Sequence, residues 1–586
     1  LNMSIYTPTL SFTGARWTEA PIPALAPAEL QTRLGISATV ARCLTRRLPH
    51  TPDDASGWMK PDLDQLHDPF AMRGMAEAVD RLRRAARDRQ RLRVVTDYDV
   101  DGTTSSLILQ AGLKMASPDA SDFLIDYHIP DRFLEGYGFS VAAAQKAAAD
   151  GIDLIITADI GVRDHAAVAA ARNAGIEVLI CDHHLPGGAE VPSDATVLCP
   201  PQTGCAYPNR HLAACGISLK LAQALLAGNP RKELLLRSFL KLAAIGTVAD
   251  LVPLTTLENR AIVALGLQEL NRGPHTPGLA ALLEASGLKD GPIRESDLGY
   301  RIGPRINAAG RVADARMVVD LLTCRDADRA RDLARRIDRL NDERRDIQKH
   351  LVDEALDKLR SSPEPDPFVV LSGPEHEGWH RGVVGIVASR IKDEVNRPVA
   401  IVSIQGDRAV GSVRSIPGVH AVHALESCSD LLEKFGGHPV AAGFTVPTRH
   451  LERLQERLNN YVREHTSEDV FAVVHEFEGE VVSHELTDRL WGELESLAPF
   501  GQGNPRPRLM IRNVRPQAMI SRPEKGLLKF VIPGSSTPVE AVWWQHTHLA
   551  EALSAGPVDL LGELQENRWK GSRTLQFQIA DARPTV

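Results

Sequence analysis

Along the chain, the period of the apolar positions changes several times, and each change predicts an element. Helical spacing over Met72–Arg89 gives way to a short unbroken apolar run, Leu92–Thr96, that stops at Asp97. Two more runs of this kind, Ile152–Ala158 and Ile176–Cys181, stop at Asp159 and Asp182, with Ala-rich helical stretches over Val141–Ala149 and His165–Ala174. Short apolar runs separated by single helices predict the strands of a parallel, doubly wound sheet, an α/β fold buried on both faces. Such sheets bind ligands beyond the carboxyl ends of their strands. All three runs end in aspartate, so acid is concentrated at that edge.

Further on, Leu333, Ile337, Leu340, Ile347, Leu351, Leu356 and Leu359 form a narrow apolar stripe through the charge-dense stretch 326–360. That spacing predicts one long amphipathic helix. The break at Ser361-Ser362-Pro363-Glu364-Pro365 makes it a connector to a second, smaller α/β segment from Phe368 to about Glu464. After that come short strand-like runs separated by Gly and Pro, among them Leu527–Ile532, Val539–Trp544 and Leu575–Ile579, the pattern of a small all-β unit. The expected organisation is an N-terminal extension (1–50), a catalytic domain (51–325), the connecting helix (326–360), a second α/β domain (361–466) and a C-terminal β unit (467–586).

Composition narrows the class. The 586 residues are 43% hydrophobic and 24% charged, which excludes disordered, collagenous and disulfide-built chains. The formal net charge of −8 argues against a uniformly basic coat for nucleic acid, yet residues 501–586 hold 11 Lys and Arg against 7 Asp and Glu. Seven scattered cysteines read as reduced thiols, and Cys199, Cys205 and Cys215 lack the spacing of a zinc site. No apolar run reaches the ~18 residues of a membrane span, and the opening Leu1-Asn2-Met3 has no signal-peptide pattern. A cytoplasmic, monomeric protein without membrane contact is expected.

The densest chemistry is Asp97-Tyr98-Asp99-Val100-Asp101-Gly102, directly after a strand. Alternating carboxylates gather hard oxygen ligands at one point, and such like charge is costly without cations. An EF-hand is excluded, because its twelfth position, counted from Asp97, is Ile108 rather than a ligating Glu. Cys181-Asp182-His183-His184 adds two imidazoles at another strand end, and Asp250 lies in Val248-Ala249-Asp250-Leu251-Val252-Pro253. Oxygen-rich ligation with some imidazole suits Mn²⁺ or Mg²⁺. Two such ions, ~3.5–4 Å apart, clamp both sides of an in-line phosphoryl displacement.

In order, Asp97–Gly102, Asp159 in Thr157-Ala158-Asp159-Ile160-Gly161, Cys181–His184 and Asp250 resemble the four motifs of the DHH phosphoesterase superfamily. The resemblance continues through Pro304–Arg311, Trp379–Ile386, Gly411–Ser415, Phe435–His438 and Pro499–Pro505, a series similar to the bacterial single-strand-specific 5′→3′ DNA exonucleases of that superfamily. It covers about residues 70–586, and Ile160 stands where the family more often has Asn. By position it implies metal ligation by Asp97, Asp99, Asp101, Asp159, His183 and Asp250, with Asp159 bridging two divalent cations. Asp182 would orient its neighbours, and His184 would contact the scissile phosphate. A single-strand-binding protein and repair helicases are implied as partners by the family only.

Substrate contacts are read partly from the residues themselves. Ser412 and Arg414, two apart in an extended segment, present a hydroxyl and a forked guanidinium to the same side. By resemblance they hold the terminal 5′ phosphate, with Arg132 as a second candidate. Arg305, Asn307 and Arg311 are candidates to line the same path, and Gly437 and His438 to approach a nucleotide. The C-terminal unit resembles an OB-fold, a β-barrel that grips single strands through basic and aromatic groups. Trp569, between Arg568 and Lys570, and Phe577 are its candidate platforms. The expected activity is removal of nucleotides from the 5′ end of single-stranded DNA. The alternatives are a phosphodiesterase for short oligonucleotides or cyclic dinucleotides, and a non-catalytic DNA-binding scaffold.

Overall fold

The computed structural model of the chain describes residues 10–21, 27–48, 54–116, 124–188, 190–361, 364–535, 538–569 and 572–585. They divide into a larger compact unit, around Glu19–Asp338 and Glu476–Val586, and a smaller one around Arg339–His475. The first described strand, β1 (Arg16–Glu19), is short and mostly exposed.

The larger unit is built on a five-stranded sheet. Its strands are β2 (Arg91–Thr96), β3 (Leu124–His128), β4 (Leu154–Ala158), β5 (Glu177–Cys181) and β6 (Thr196–Leu198). All are parallel, in the order β3-β2-β4-β5-β6. β2, β4 and β5 coincide with the three apolar runs, because both faces of the sheet are covered. Leu92, Val94, Leu154, Ile156 and Leu179 point into one core, shared with Met75–Arg87 and Ala214–Leu225. Val95, Ile155, Val178 and Ile180 point into the other, against the Ala-rich helices Val141–Ala149 and His165–Asn173. The edge strands β3 and β6 lack such runs and were not expected from the sequence. β3 is only half-buried and β6 is three residues long. The order places β2 beside β4 while the chain leaves β2 for β3 on the far side. This reversal makes a switch point at the carboxyl ends of β2 and β4.

The helix Ala327–Arg360 runs for 34 residues. Ala330, Ala334 and Ile337 join a core of the larger unit, and Leu351 and Ala355 one of the smaller. In the smaller unit β7 (Val369–Pro374), β8 (Val399–Gln405), β9 (Arg408–Arg414), β10 (Lys434–His438) and β11 (Ala441–Pro447) form a mixed sheet, ordered β10-β11-β9-β8-β7. Only β7 and β8 are parallel there.

β12 (Val474–Phe477) pairs with β1. The C-terminal sheet holds β13 (Gly479–Glu480), β14 (Leu509–Val514), β15 (Gln517–Arg522), β16 (Leu527–Ile532), β17 (Val539–Trp544), β18 (Val558–Trp569) and β19 (Ser572–Pro584). Their order is β13-β14-β18-β19-β17-β16-β15. Residues near the N-terminus serve this sheet. Arg47 donates to Asn504 Oδ1 (2.6 Å) and the Pro505 carbonyl (2.7 Å) and pairs with Glu478. The loop Pro499–Pro505 in turn docks on the segment after Asp250. Leu254 N–H donates to the Gln502 carbonyl (2.8 Å), and Arg260 donates to the carbonyls of Ala498 and Trp58.

Candidate active site

The acidic residues reach the site from the ends of four elements. Asp97 directly follows β2 and is 5% exposed. Asp99 caps the helix Val100–Ala116 by accepting from Gly102 N–H (3.0 Å), and Asp101 lies in that helix's first turn. Gly102 does not turn the chain. It is helical and presses on the Asp97 backbone, where a Cβ would collide with the Asp97 carbonyl oxygen. Both Asp101 oxygens accept backbone N–H groups from a second helix N-terminus, Ala214 (2.7 Å) and Cys215 (2.8 Å). Asp159 follows β4 in the left-handed region, at φ 64°. Asp250 closes the helix Lys232–Ala249.

These ends converge on one imidazole. His183 Nε2 lies 3.2 Å from Asp159 Oδ1, 3.6 Å from Asp250 Oδ2 and 4.0 Å from Asp101 Oδ2. Ligand atoms from Asp101, His183 and Asp250 approach one another closely enough to share an ion, as do those from Asp97, Asp99 and Asp159. Asp159, His183 and His184 form a third such group. No cysteine belongs to any of the three, and all seven cysteines are free thiols.

The donor set fits divalent cations on three observations. Asp97 Oδ1, His183 Nε2 and Asp250 Oδ2 are buried and have no hydrogen-bond partner. A buried polar atom left so costs ~1–3 kcal/mol, a cost that an ion removes. Burial, and then the charge of neighbouring carboxylates, pushes Asp97 and Asp159 well above the ordinary carboxylate range. Asp101 and Asp250 are also raised by burial, with His183 opposing the shift. Such a cluster resists ionisation until positive charge enters it. Oxygen donors with one or two imidazoles match Mn²⁺ or Mg²⁺.

Asp182 has a different task. Burial works against its charge. Yet it accepts from His184 Nδ1 (2.7 Å), His184 N–H (3.1 Å) and Val162 N–H (3.0 Å), and these hold it down at about 2. A carboxylate accepts only, so Nδ1 of His184 carries the proton. The His184 ring is therefore oriented by Asp182, with Nε2 turned elsewhere.

Around this centre the structure sorts the remaining candidates. Arg132 stacks over the Tyr98 ring (4.1 Å), and its Nε is buried without a partner. The two residues line a cleft of ≈ 200 Å³ with Glu135, Gly310 and Arg316. Asn307 and Arg311 are half-buried, one turn apart on the helix Gly303–Val312. Arg305 is engaged within the protein. Its guanidinium pairs with Asp338 (2.8 Å) and donates to the Arg301 carbonyl (2.8 Å). In the smaller unit Arg414 Nη1 donates to Ser412 Oγ (2.9 Å) from one face of β9. Among the described residues no carboxylate pairs with Arg414, whose half-buried guanidinium is lowered by burial. The helix Val384–Val395 begins beside them, with Gly385 next to both side chains. Gly437 and His438 are exposed on the edge strand β10.

Phe577 is not the platform expected of it. It is 0% exposed, because its position in β19 faces the core, and it offers no platform to a base. Trp543 is buried likewise, whereas Trp544, the next residue on β17, is 47% exposed. Trp569 ends β18, but its side chain and Lys570 lie outside the described residues. One residue at the centre was missed altogether. The Tyr137 hydroxyl lies 3.3 Å from His184 Nε2. Its only sequence signal was the flanking pair Gly136 and Gly138.

Comparison with known proteins is consistent along the chain. The family model of the DHH family N-terminal domain matches residues 91–247, that of the DHHA1 domain 366–464, and that of the RecJ OB domain 477–581. The single-stranded-DNA-specific exonuclease RecJ of Bacillus subtilis is 35% identical over 557 residues, covering 94% of this chain and 69% of that protein. The protein of the same name from Dickeya dadantii is 36% identical over 533 residues, with 86% and 90% covered. The crystal structure of RecJ from Thermus thermophilus with Mn²⁺ superposes with a TM-score of 0.82 at 30% identity, covering 97% of this chain and 79% of that one. The Mg²⁺ complex gives 0.76, with 97% and 78% covered.

Proposed function

The chain belongs to the RecJ family of DHH-type single-stranded-DNA-specific exonucleases, and from that premise we propose that it hydrolyses phosphodiester bonds at the 5′ end of single-stranded DNA. The observation that carries this reading is the converging cluster of buried, partnerless acid and imidazole atoms at the switch point. Asp97, Asp99, Asp101, Asp159, His183 and Asp250 would hold two divalent cations, Mn²⁺ or Mg²⁺. Such ions, when bound, would supply Lewis acidity to the phosphodiester and to the attacking water.

The chain's own residues do the rest. Asp182 fixes the His184 tautomer and aims Nε2 at the scissile phosphate, where it stabilises developing charge. Arg132 brings a guanidinium beside the Asp97–Asp99 loop. Ser412 and Arg414 hold the terminal 5′ phosphate, for which a guanidinium without a carboxylate is suited. The C-terminal OB domain adds affinity for the strand, with Trp569 as its platform. Among the described residues no helix is long and apolar enough to cross a membrane. A monomeric state, a cytoplasmic location, and a single-strand-binding protein and repair helicases as partners belong to the same reading.

Asp159→Ala tests it. The variant is expected to lose Mn²⁺-dependent nucleotide release from 5′-phosphorylated single strands while still binding them. Release at the wild-type rate would refute the two-metal assignment. Blocking the 5′ end rather than the 3′ end should stop wild-type release, and the opposite result would reverse the polarity.

A further inference from the structure

Tyr137 touches two parts of the metal centre at once. Its hydroxyl lies 3.3 Å from His184 Nε2 and 3.4 Å from the backbone carbonyl of Asp159, and its ring meets the His184 ring edge-on (6.3 Å, 75°). The loop that carries it is tied down at both ends. Asp131 accepts from Phe133 N–H (2.7 Å) and Leu134 N–H (3.0 Å), and Glu135 reaches back to Asp131 N–H (2.9 Å) and His128 (2.9 Å). On the other side Asp164 accepts from Phe139 N–H (2.7 Å). Gly138, at φ 98°, lets the chain pass close to that carboxylate, since a Cβ there would sit 3.2 Å from Asp164 Oδ1. Asp164 N–H in turn donates to Gly161 O (3.1 Å), in the turn that follows Asp159. The hydroxyl is thus delivered to the site by a braced loop.

We propose that Tyr137 is a positioning residue for His184, acting through its hydroxyl. This rests on the role given to His184 in the proposed function. Asp182 grips the imidazole at Nδ1, on one edge of the ring. Tyr137 holds the second edge. With His184 neutral, the hydroxyl donates to the Nε2 lone pair. With His184 protonated, Nε2–H donates to the phenolic oxygen while the hydroxyl turns to the Asp159 carbonyl. Either way the ring plane is set relative to Asp159, with Nε2 poised for a phosphate oxygen.

The test compares Y137F and Y137A with the full-length wild-type protein on 5′-phosphorylated single-stranded DNA. Y137F is expected to lower kcat about tenfold, the worth of one oriented hydrogen bond (~1.4 kcal/mol). Its KM, half-saturating Mn²⁺ concentration and thermal midpoint should stay within about twofold or a few degrees of wild type. Y137A should cost little more in kcat. A Y137F enzyme with wild-type kcat, or one whose loss follows KM or Mn²⁺ affinity, overturns the role. Failure of the underlying reading shows separately, as Asp159→Ala retaining full activity.

Discussion

At the scale of single residues, the centre is defined by unmet electrostatic demand. Burial and mutual repulsion raise Asp97, Asp101, Asp159 and Asp250 above the ordinary carboxylate value of 3.8. For an acid whose folded value is raised, the metal-free fold binds more protons than the unfolded chain above the ordinary value. Stability is therefore lost as pH rises from about 3.8 through the folded values. A cation that ionises the cluster reverses this. Adding Mn²⁺ should release protons, measurable as a buffer-dependent heat in calorimetry, and should raise the thermal midpoint more at pH 8 than at pH 5.5. Equal stabilisation at both pH values would mean that the ion binds elsewhere. Asp97 and Asp159 were legible because each follows an apolar run, where an acid has no packing purpose. Tyr137 was not, since it sits on an irregular loop without periodicity, and only the fold sets its hydroxyl against His184.

At the scale of elements, strands and helix termini convert spacing into chemistry. β9 alternates strictly, so Ser412 and Arg414 share a face, as their spacing required, and the hydrogen bond between them shows it. Arg414→Ala should raise KM for 5′-phosphorylated single strands by roughly 10- to 100-fold, the range of a lost charge-assisted hydrogen bond. The effect on 5′-hydroxyl strands should be under about threefold, and an equal loss on both would remove Arg414 from the terminal phosphate. Alternation alone does not say which face is inside. Phe577 in β19 reads as a platform, and Trp543 and Trp544 are neighbours in β17 that face opposite ways. The sheet's packing buried the first two and left Trp544 outward. Arg305 shows the same ambiguity on a helix, where a neighbour distant in sequence, Asp338, claimed the guanidinium.

At the scale of the whole molecule, the segments near the two ends of the chain complete the larger unit. The Pro499–Pro505 loop grips the segment after Asp250, and Arg260 carries much of that grip. It is 1% exposed, stacks on Trp58 (4.3 Å) and donates to three backbone carbonyls. Arg260→Ala should lower stability by about 2–3 kcal/mol, read as an earlier urea transition of the larger unit, because buried carbonyls lose a charged donor. A variant as stable as wild type would make the contact incidental. Nothing in local sequence announced it, since its partners lie about 200 positions before and 240 after. By itself the sequence determined the doubly wound sheet, the long helix, the β-rich end and the acids at the strand ends. Each of these follows from periodicity and from the cost of placing charge beside apolar runs. Tertiary structure alone decided which imidazole faces the acids, which arginines are taken up by ion pairs and which aromatics are inside. Those outcomes depend on neighbours that only the folded chain brings within a few ångströms.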